Sequence, residues 1–548
     1  MAENANVKHP KGLYVLFFTE MWERFGYYLM LGILFLYLTD TAKGGMGLGR
    51  AEGSDIVGTY LGLVYLTPFL GGLIADRILG YRKSILLGGV LMSLGYFGLA
   101  IPGMNYFWIS VLLIIVGNGF FKPNISTLLG NLYSTDERKH LKDSGYNIFY
   151  MGINLGAFIC NFVAAYMRNE YGWGYAFAAA GAGMLIGILW FMAGTRHIRE
   201  ADIRKPANPE DMSVSKVIWI IFIPAIIFGA LGWFIPGSIF GSDSTDAFIF
   251  ACLPIIGFYI NLLVKSNKED KSRVAALLAI FAVVVVFWAV FKQNSSALTI
   301  WAETYTDRQV GDQVSPVLKP FGMMQELTSK QDSFPKYDEY FRAEKDADGK
   351  VVNIFSPNPY FQNLPQEKWP QPEEKSLKLI STEIFQSVNP FFIILLTPIV
   401  ITFFSFLRRR NAEPSTPAKI GYGLLITGLS TLIMAAAVYS TDMTTDKASA
   451  WWLIASYAVV TVGELFLSPI GLSLVSKVSP PRITSLMMGG WFLATSIGNK
   501  LSGVLSSLWD NYDQKANFFL VNFVACTIAG LIIFSMIKWL RGIINKHA

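Results

Sequence analysis

The sequence predicts an all-α polytopic membrane protein, and three observations predict it. Of the 548 residues, 53% are hydrophobic and 15% charged, where a soluble domain carries about 25% charged residues; the mean hydropathy is +0.41. Apolar runs of about 20 residues, the length a helix needs to cross a roughly 30 Å hydrocarbon core, recur from Leu13 almost to the C-terminus. Lys and Arg gather in alternate short connections between those runs. In lipid every backbone polar group needs a partner inside its own segment, so the spans are helices.

Fourteen spans are predicted, at 13–40, 55–76, 83–102, 106–130, 144–167, 174–195, 214–236, 245–265, 274–300, 383–407, 418–440, 450–475, 483–508 and 517–540. Arg77, Arg82 and Lys83 follow the second span, and Arg138, Lys139 and Lys142 the fourth. Arg196, Arg199, Arg204 and Lys205 follow the sixth, Lys265, Lys268, Lys271 and Arg273 the eighth. Arg408, Arg409, Arg410 and Lys419 follow the tenth, Lys477 and Arg482 the twelfth, and Lys538, Arg541 and Lys546 end the chain. The alternate connections are poor in such residues: 103–105 has none and 168–173 only Arg168. The positive-inside rule then places both termini in the cytoplasm. Residues 301–380 follow the ninth span on the other side. They are polar and Pro-rich, yet aromatics such as Phe334, Tyr337 and Tyr360 predict a small, partly ordered external insert, and "DADGKVVNIF" reads as a turn entering a strand.

Composition excludes several function classes. The polar start "MAENANVKHPKG" runs straight into a span without a cleavage site, so no removable signal peptide is predicted. Cys160, Cys252 and Cys526 lie in apolar runs and imply no disulfide framework. The net charge of +6 comes from loop residues, so no nucleic-acid partner is expected. His9, His140, His197 and His547 all fall in loops or termini, and no metal or cofactor site is predicted. No H-E-x-x-H, G-x-S-x-G or P-loop pattern supports a membrane enzyme.

The exception to apolar spans is "FFTEMWERFGYYLM", residues 17–30. Glu20, Glu23 and Arg24 stand at i, i+3 and i+4, on one helical face. A charge at the membrane centre costs about 2.5–3.5 kcal/mol on insertion scales and persists where it faces a wet interior and finds a partner. Arg24 neutralises one carboxylate. The other is left to take a proton or a second cation, and Lys122, in "GFFKPNIST" of the fourth span, is the candidate. Lys292 and Glu464 add ionisable groups in two further spans, which together predict an ion and substrate pathway.

Two sets of motifs carry a resemblance. "GGLIADRILGYRKS" (71–84) resembles the signature loop of the major facilitator superfamily, with Asp76, Arg77, Arg82 and Lys83 at the positions of a conformational latch. "ExxERFGYY" (Glu20 to Tyr28) and "YNIFYMGINLGAF" (146–158) resemble signatures of the proton-dependent oligopeptide transporter family, as do "FFKPNIST", "FQSVNPFFI", "GELFLSPIGLS" and "GGWFLATSIGN". The resemblance implies a major facilitator fold: an N-terminal six-helix bundle at 13–200, a linker and inserted transmembrane hairpin at 201–272, and a C-terminal six-helix bundle at 273–540 interrupted by the 301–380 insert. Residues 1–12 and 541–548 form cytoplasmic ends. It further implies a monomeric carrier in a bacterial inner membrane, in contact with lipid, importing di- and tripeptides with protons. By resemblance Lys122 meets the peptide carboxylate, Glu464 with Asn389 meets the ammonium, and Asn154 bonds the peptide backbone. Tyr28, Tyr65, Tyr150, Trp288, Phe291 and Trp491 line the cavity, with Ser468 nearby.

Two positions depart from that pattern. Leu31 stands where many members have Arg, and "FWAVFKQ" places Lys292 where many have Glu. In the family that Arg and Glu can bridge an external gate. The departures predict that Lys292 serves as a second cation for the substrate carboxylate and that the gate closes by other contacts. They also leave room for a same-fold carrier of another small solute, an anion or a modified amino acid, with altered proton coupling.

Overall fold

The computed structural model describes residues 8–41, 44–135, 137–203, 213–347, 351–371, 375–480 and 483–547. Arg204, Lys205 and Arg482, read above as loop cations, lie outside that set. The long helices are α1 (Lys11–Thr39), α2 (Arg50–Ile74), α3 (Tyr81–Leu99), α4 (Met104–Leu132), α5 (Lys142–Tyr171) and α6 (Trp173–Gly194). A hairpin follows: α7 (Ile223–Phe234), entered through a π-helical turn at Ile218–Phe222, and α8 (Asp243–Lys265). The second set is α9 (Lys268–Phe291), α10 (Val388–Arg409), α11 (Thr416–Ser440), α12 (Ala450–Val478), α13 (Thr484–Ser507) and α14 (Lys515–His547).

Eleven helical stretches among the described residues are long and apolar enough to cross a membrane by length and composition. Three helices fall short of that measure. They are α1, with its Lys11, Glu20, Glu23 and Arg24; α3, which opens on Arg82 and Lys83; and α13, rich in Gly, Ser and Thr and carrying Lys500. Helix α1 is buried along most of its length, so protein rather than lipid surrounds its polar face.

Helices α1–α6 pack on one another as one group and α9–α14 as a second. Helix α2 runs into a π-helical turn at Ala75–Leu79 that holds Asp76 and Arg77. It stops at Gly80, whose φ of 81° is the left-handed conformation a side chain would disfavour. The free N–H groups of Tyr81 and Arg82 that open α3 donate to Asp202 Oδ1 at 3.0 and 3.3 Å. The predicted latch loop is therefore stapled to the chain that follows α6.

The two groups meet along α2–α13 and α5–α10. At the first seam a Cβ added to Gly58 would lie 2.7 Å from Gly503 Cα. Only hydrogen side chains permit so close a crossing. Around it Lys500 Nζ pairs with Asp55 Oδ1 at 2.6 Å, Ser496 Oγ donates to Gly62 O at 2.6 Å and Asn499 Nδ2 to Leu61 O at 3.3 Å. At the second seam Arg168 Nε lies 3.1 Å from Glu383 Oε1, and Asn161 Nδ2 donates to Ser387 Oγ at 3.0 Å. Arg168, read from sequence as a connection residue, sits at the end of α5 and is buried because it answers Glu383. Both ion pairs stand at the helix ends that bear the insert, so the molecule is closed there.

The ninth predicted span, 274–300, is not one helix. Helix α9 ends at Phe291, a 3-10 turn covers Lys292–Ser295, and a short helix resumes at Ala297–Thr304. The polar run "KQNSS" supplies the reason: its side chains offer the backbone other partners, and Gln386 Nε2 donates to the freed Asn294 O.

The insert and the connection between α11 and α12 hold small paired strands. These are β1 (Thr306–Asp307) with β6 (Ala448–Ser449), parallel; β2 (Met324–Thr328) with β5 (Ser376–Ile380), antiparallel; and β3 (Asp332–Pro335) with β4 (Asn353–Ser356), antiparallel. Strand β4 is the strand read in "DADGKVVNIF"; residues 348–350 of its turn lie outside the described set. Leu327, Tyr360, Phe361, Leu364 and Leu379 form its core. Arg50 ties it down, donating to Phe341 O at 2.8 Å and Thr304 Oγ1 at 2.9 Å.

The α2–α13 crossing yields a test. Gly503→Val should cost about 1–3 kcal/mol, the usual penalty of overpacking, and should loosen the insert-bearing end. A lower melting temperature and faster labelling of a Ser295→Cys thiol by an impermeant reagent are expected; unchanged melting and labelling would show that the crossing does not hold that end closed.

Candidate functional site

A chamber of about 290 Å³ lies between the two groups of helices. Helix α1 contributes Glu20, Arg24 and Tyr28, spaced four apart on one face. The Arg24 guanidinium grips Glu23 with two hydrogen bonds: Nη2 to Oε1 at 2.6 Å and Nε to Oε2. Its Nε also lies 3.3 Å from Glu20 Oε1. Glu23 is fully buried and does not line the chamber; it acts as the counter-ion behind Arg24. Glu20 does line it, and its Oε2 has no hydrogen-bond partner among the described residues.

Helices α2 and α4 bring Tyr65 and Lys122. Lys122 Nζ sits 3.9 Å from the centroid of the Tyr65 ring. This corrects one expectation: Lys122 makes no direct ion pair with a carboxylate of α1 among the described residues. Arg24 satisfies that need from within the helix, and Lys122 rests on an aromatic face instead, a contact worth about 0.5–2 kcal/mol. Helix α5 supplies Tyr150 and Asn154, with Asn154 Nδ2 donating to Tyr150 O at 2.9 Å.

On the opposite wall Glu464 Oε2 accepts from Asn389 Nδ2 at 3.1 Å, and Asn389 Nδ2 also reaches Thr461 Oγ1 at 2.9 Å. Trp288, Phe291 and Trp491 form apolar wall, and the Trp288 indole N–H has no partner among the described residues. Lys292 stands at the break after α9, its Nζ 5.3 Å from the Phe291 ring centroid and 5.9 Å from that of Trp288. It lines the chamber beside Leu31 and forms no direct ion pair with α1 among the described residues. The side chain of Ser468 lies outside the described set. Asp76, Arg77, Arg82 and Lys83 are remote from the chamber, in and after the π-helical turn.

Sequence reading missed Asn161, Asn294, Ser295, Gln386 and Thr495, which also line the chamber. The signal for Asn294 and Ser295 was the polar run inside an apolar span. Gln386 lay within the quoted "FQSVNPFFI", but its donation to the broken helix depends on a contact 92 residues away.

The chamber and its backing thus hold three acids, Glu20, Glu23 and Glu464, and three bases, Arg24, Lys122 and Lys292. Among the described residues, only the Arg24 pairs are direct ion pairs. Lys122, Lys292 and Glu464 are held by aromatic rings or an amide, which are partners that a charged ligand can displace. Among the described residues no group of three or more His, Cys, Asp or Glu could hold a metal ion.

Two helical bundles about one charged central chamber, tied at one end, define a secondary transporter of the major facilitator fold. The POT family model matches residues 82–324 and 375–521. A "Di-/tripeptide transporter" of Lactococcus lactis subsp. lactis (strain IL1403) is 31% identical over 537 residues, covering 96% of this chain and 94% of the relative. The "Peptide transporter YePEPT" of Yersinia enterocolitica is 28% identical over 559 residues, covering 98% and 96%. A crystal structure of a peptide transporter POT in complex with sulfate superposes with a TM-score of 0.75 at 28% identity, covering 98% of this chain and 96% of that one. A POT family transporter in complex with 5-aminolevulinic acid gives 0.76 at 26% identity, with 97% of each chain covered. The chain belongs to the POT family of transporters.

Removing Arg24 alone strands a buried carboxylate, which costs about 3–5 kcal/mol. Arg24→Gln should therefore melt far below the parent in detergent, and Glu23→Gln/Arg24→Gln should recover much of the loss. Equal melting of single and double variants would mean the pair does not anchor α1.

Proposed function

We propose that the protein is a proton-coupled symporter that imports di- and tripeptides across a bacterial inner membrane by alternating access, working as a monomer with both termini cytoplasmic. One observation carries this reading: displaceable charges of both signs face each other across a single chamber of peptide size. The named relatives, a di-/tripeptide transporter and a peptide transporter, support the substrate class.

A short peptide is a zwitterion with variable side chains. Its carboxylate draws Lys122 off the Tyr65 ring and engages Lys292 as second cation. Its ammonium meets Glu464 and Asn389. Asn154 bonds the backbone, and Tyr28, Tyr150, Trp288, Phe291 and Trp491 give tolerant walls. Glu20 shares Arg24 with Glu23 and keeps one oxygen free, so it is our candidate proton carrier. The bundles at 13–200 and 273–540 rock about the chamber, with the Asp76–Lys83 loop latching one state and α1, α3 and α13 counted as spans beside the eleven apolar ones. A proton moving down 100 mV and one pH unit releases about 2.3 plus 1.4 kcal/mol, enough for more than hundredfold accumulation of a neutral solute.

A second reading is a carrier of another short zwitterion. It is favoured by the Leu31 and Lys292 departures and by the related transporter bound to 5-aminolevulinic acid.

Dipeptide uptake into proteoliposomes should rise several-fold when an inward-acid pH gradient is imposed, and unlabelled dipeptide should compete better than 5-aminolevulinic acid. Uptake that ignores the gradient removes proton coupling; competition in the opposite order favours the second reading. Lys292→Ala should raise the KM for dipeptide about tenfold or more, the loss of one charged hydrogen bond of about 1.5–3 kcal/mol. An unchanged KM would remove Lys292 from the carboxylate site.

A further inference from the structure

A second cavity, of about 510 Å³, lies at the insert-bearing end between the helix ends and the insert. It is larger than the central chamber of about 290 Å³. The family model stops at residue 324 and resumes at 375. Phe334, Tyr337, Phe341 and Tyr360 on the cavity wall come from that interval. This wall is a feature of the insert rather than of the family core.

Some of the charge on its wall is paired, as Arg168 is with Glu383 and Arg342 with Asp338 and Asp513, and some is not. Arg308 is 3% exposed. Its Nη1 donates to Ile380 O at 2.7 Å, its guanidinium lies 5.1 Å from the Tyr360 ring centroid, and its Nε has no hydrogen-bond partner among the described residues. Arg50 spends its donors on Phe341 O and Thr304 Oγ1 and lies 5.6 Å from the Tyr337 ring centroid. All of these partners are neutral. Glu303, on the same wall, interacts with Arg50 and Arg308 through space but makes no direct ion pair among the described residues. Asp510 Oδ1 is buried with no hydrogen-bond partner there. Of the charged residues that line this space, which also include Asp40, Arg168, Arg342 and Lys345, Arg50, Arg308, Glu303 and Asp510 are two cations and two anions that touch no opposite charge among the described residues. Burial without a directly paired charge is costly. An occupant bearing both charges at its two ends satisfies all four.

We propose that this cavity is an outer binding site for a zwitterionic peptide. The peptide carboxylate faces Arg50 and Arg308, its ammonium faces Glu303 and Asp510, and a side chain lies against Tyr337 or Tyr360. The inference rests on the peptide-transport reading and adds to it a holding place at the insert-bearing end, ahead of the α2–α13 and α5–α10 seams.

The test is the binding stoichiometry of radiolabelled dialanine on the full chain in lipid nanodiscs, by equilibrium dialysis to saturation. Two peptides per chain are expected for the parent. One is expected for Glu303→Gln/Arg308→Gln, and one for the central-chamber variant Lys122→Ala/Glu464→Gln. Should the insert double variant unfold, Asp510→Asn alone should weaken the outer component about tenfold, the loss of one charged contact, while leaving the central one unchanged. One peptide for the parent and none for the central-chamber variant would overturn the outer site while leaving peptide transport intact. No binding to the parent at all would overturn the peptide reading itself, and the outer site with it.

Discussion

A full charge inside a bilayer must be paired or wetted, and the Arg24 grip on Glu23 is where this chain meets that constraint first. The pair is buried, with Glu23 behind the chamber wall and Arg24 on it, and both residues lie within a single helix. Because Arg24 is committed to Glu23, Glu20 keeps an oxygen open, and Lys122 is free of α1 and rests on Tyr65. The result is a division of labour among buried charges. One bidentate pair fixes the helix. The remaining groups are held by rings and amides, whose grip is weak enough to exchange for a ligand.

The same economy explains the departures at Leu31 and Lys292. With no Arg at 31 and a cation at 292, a bridge between these positions is chemically impossible. The insert-bearing end closes elsewhere, through Asp55–Lys500 on one seam and Arg168–Glu383 on the other. Lys500 also donates to Thr59 and to Ser244 of α8, so the inserted hairpin shares this closure. Lys292 stands at a helix break and lines the chamber. Irregular backbone at membrane depth is tolerated where it lines such a cavity, and Gln386 satisfies the carbonyl that the break exposes.

Much of this was legible in the sequence, for reasons that are local. The i, i+3, i+4 spacing of Glu20, Glu23 and Arg24 put them on one face, and the family motifs named the chamber residues contributed by seven helices. Composition and loop charge were enough for a helical membrane protein. What escaped were long-range pairings. Asp55 and Lys500 are 445 residues apart, and nothing near either residue announces the other. Arg168 read as a loop cation because its buried partner Glu383 lies beyond the insert. The sequence also could not tell which of two carboxylates Arg24 would take, since both are within helical reach. The break after Phe291 was written in "KQNSS", but the hydrophobic run before it hid the signal.

The account's central claim is that the chamber's charges exchange partners on loading. A structure of the full chain with a bound dipeptide tests it most directly. The account predicts the peptide carboxylate within hydrogen-bond distance of Lys122 and Lys292, the ammonium beside Glu464, Lys122 displaced from the Tyr65 ring, and the Arg24–Glu23 pair unchanged. A peptide bound in the chamber with Lys122 still seated on Tyr65 and Glu464 without a ligand contact would contradict it.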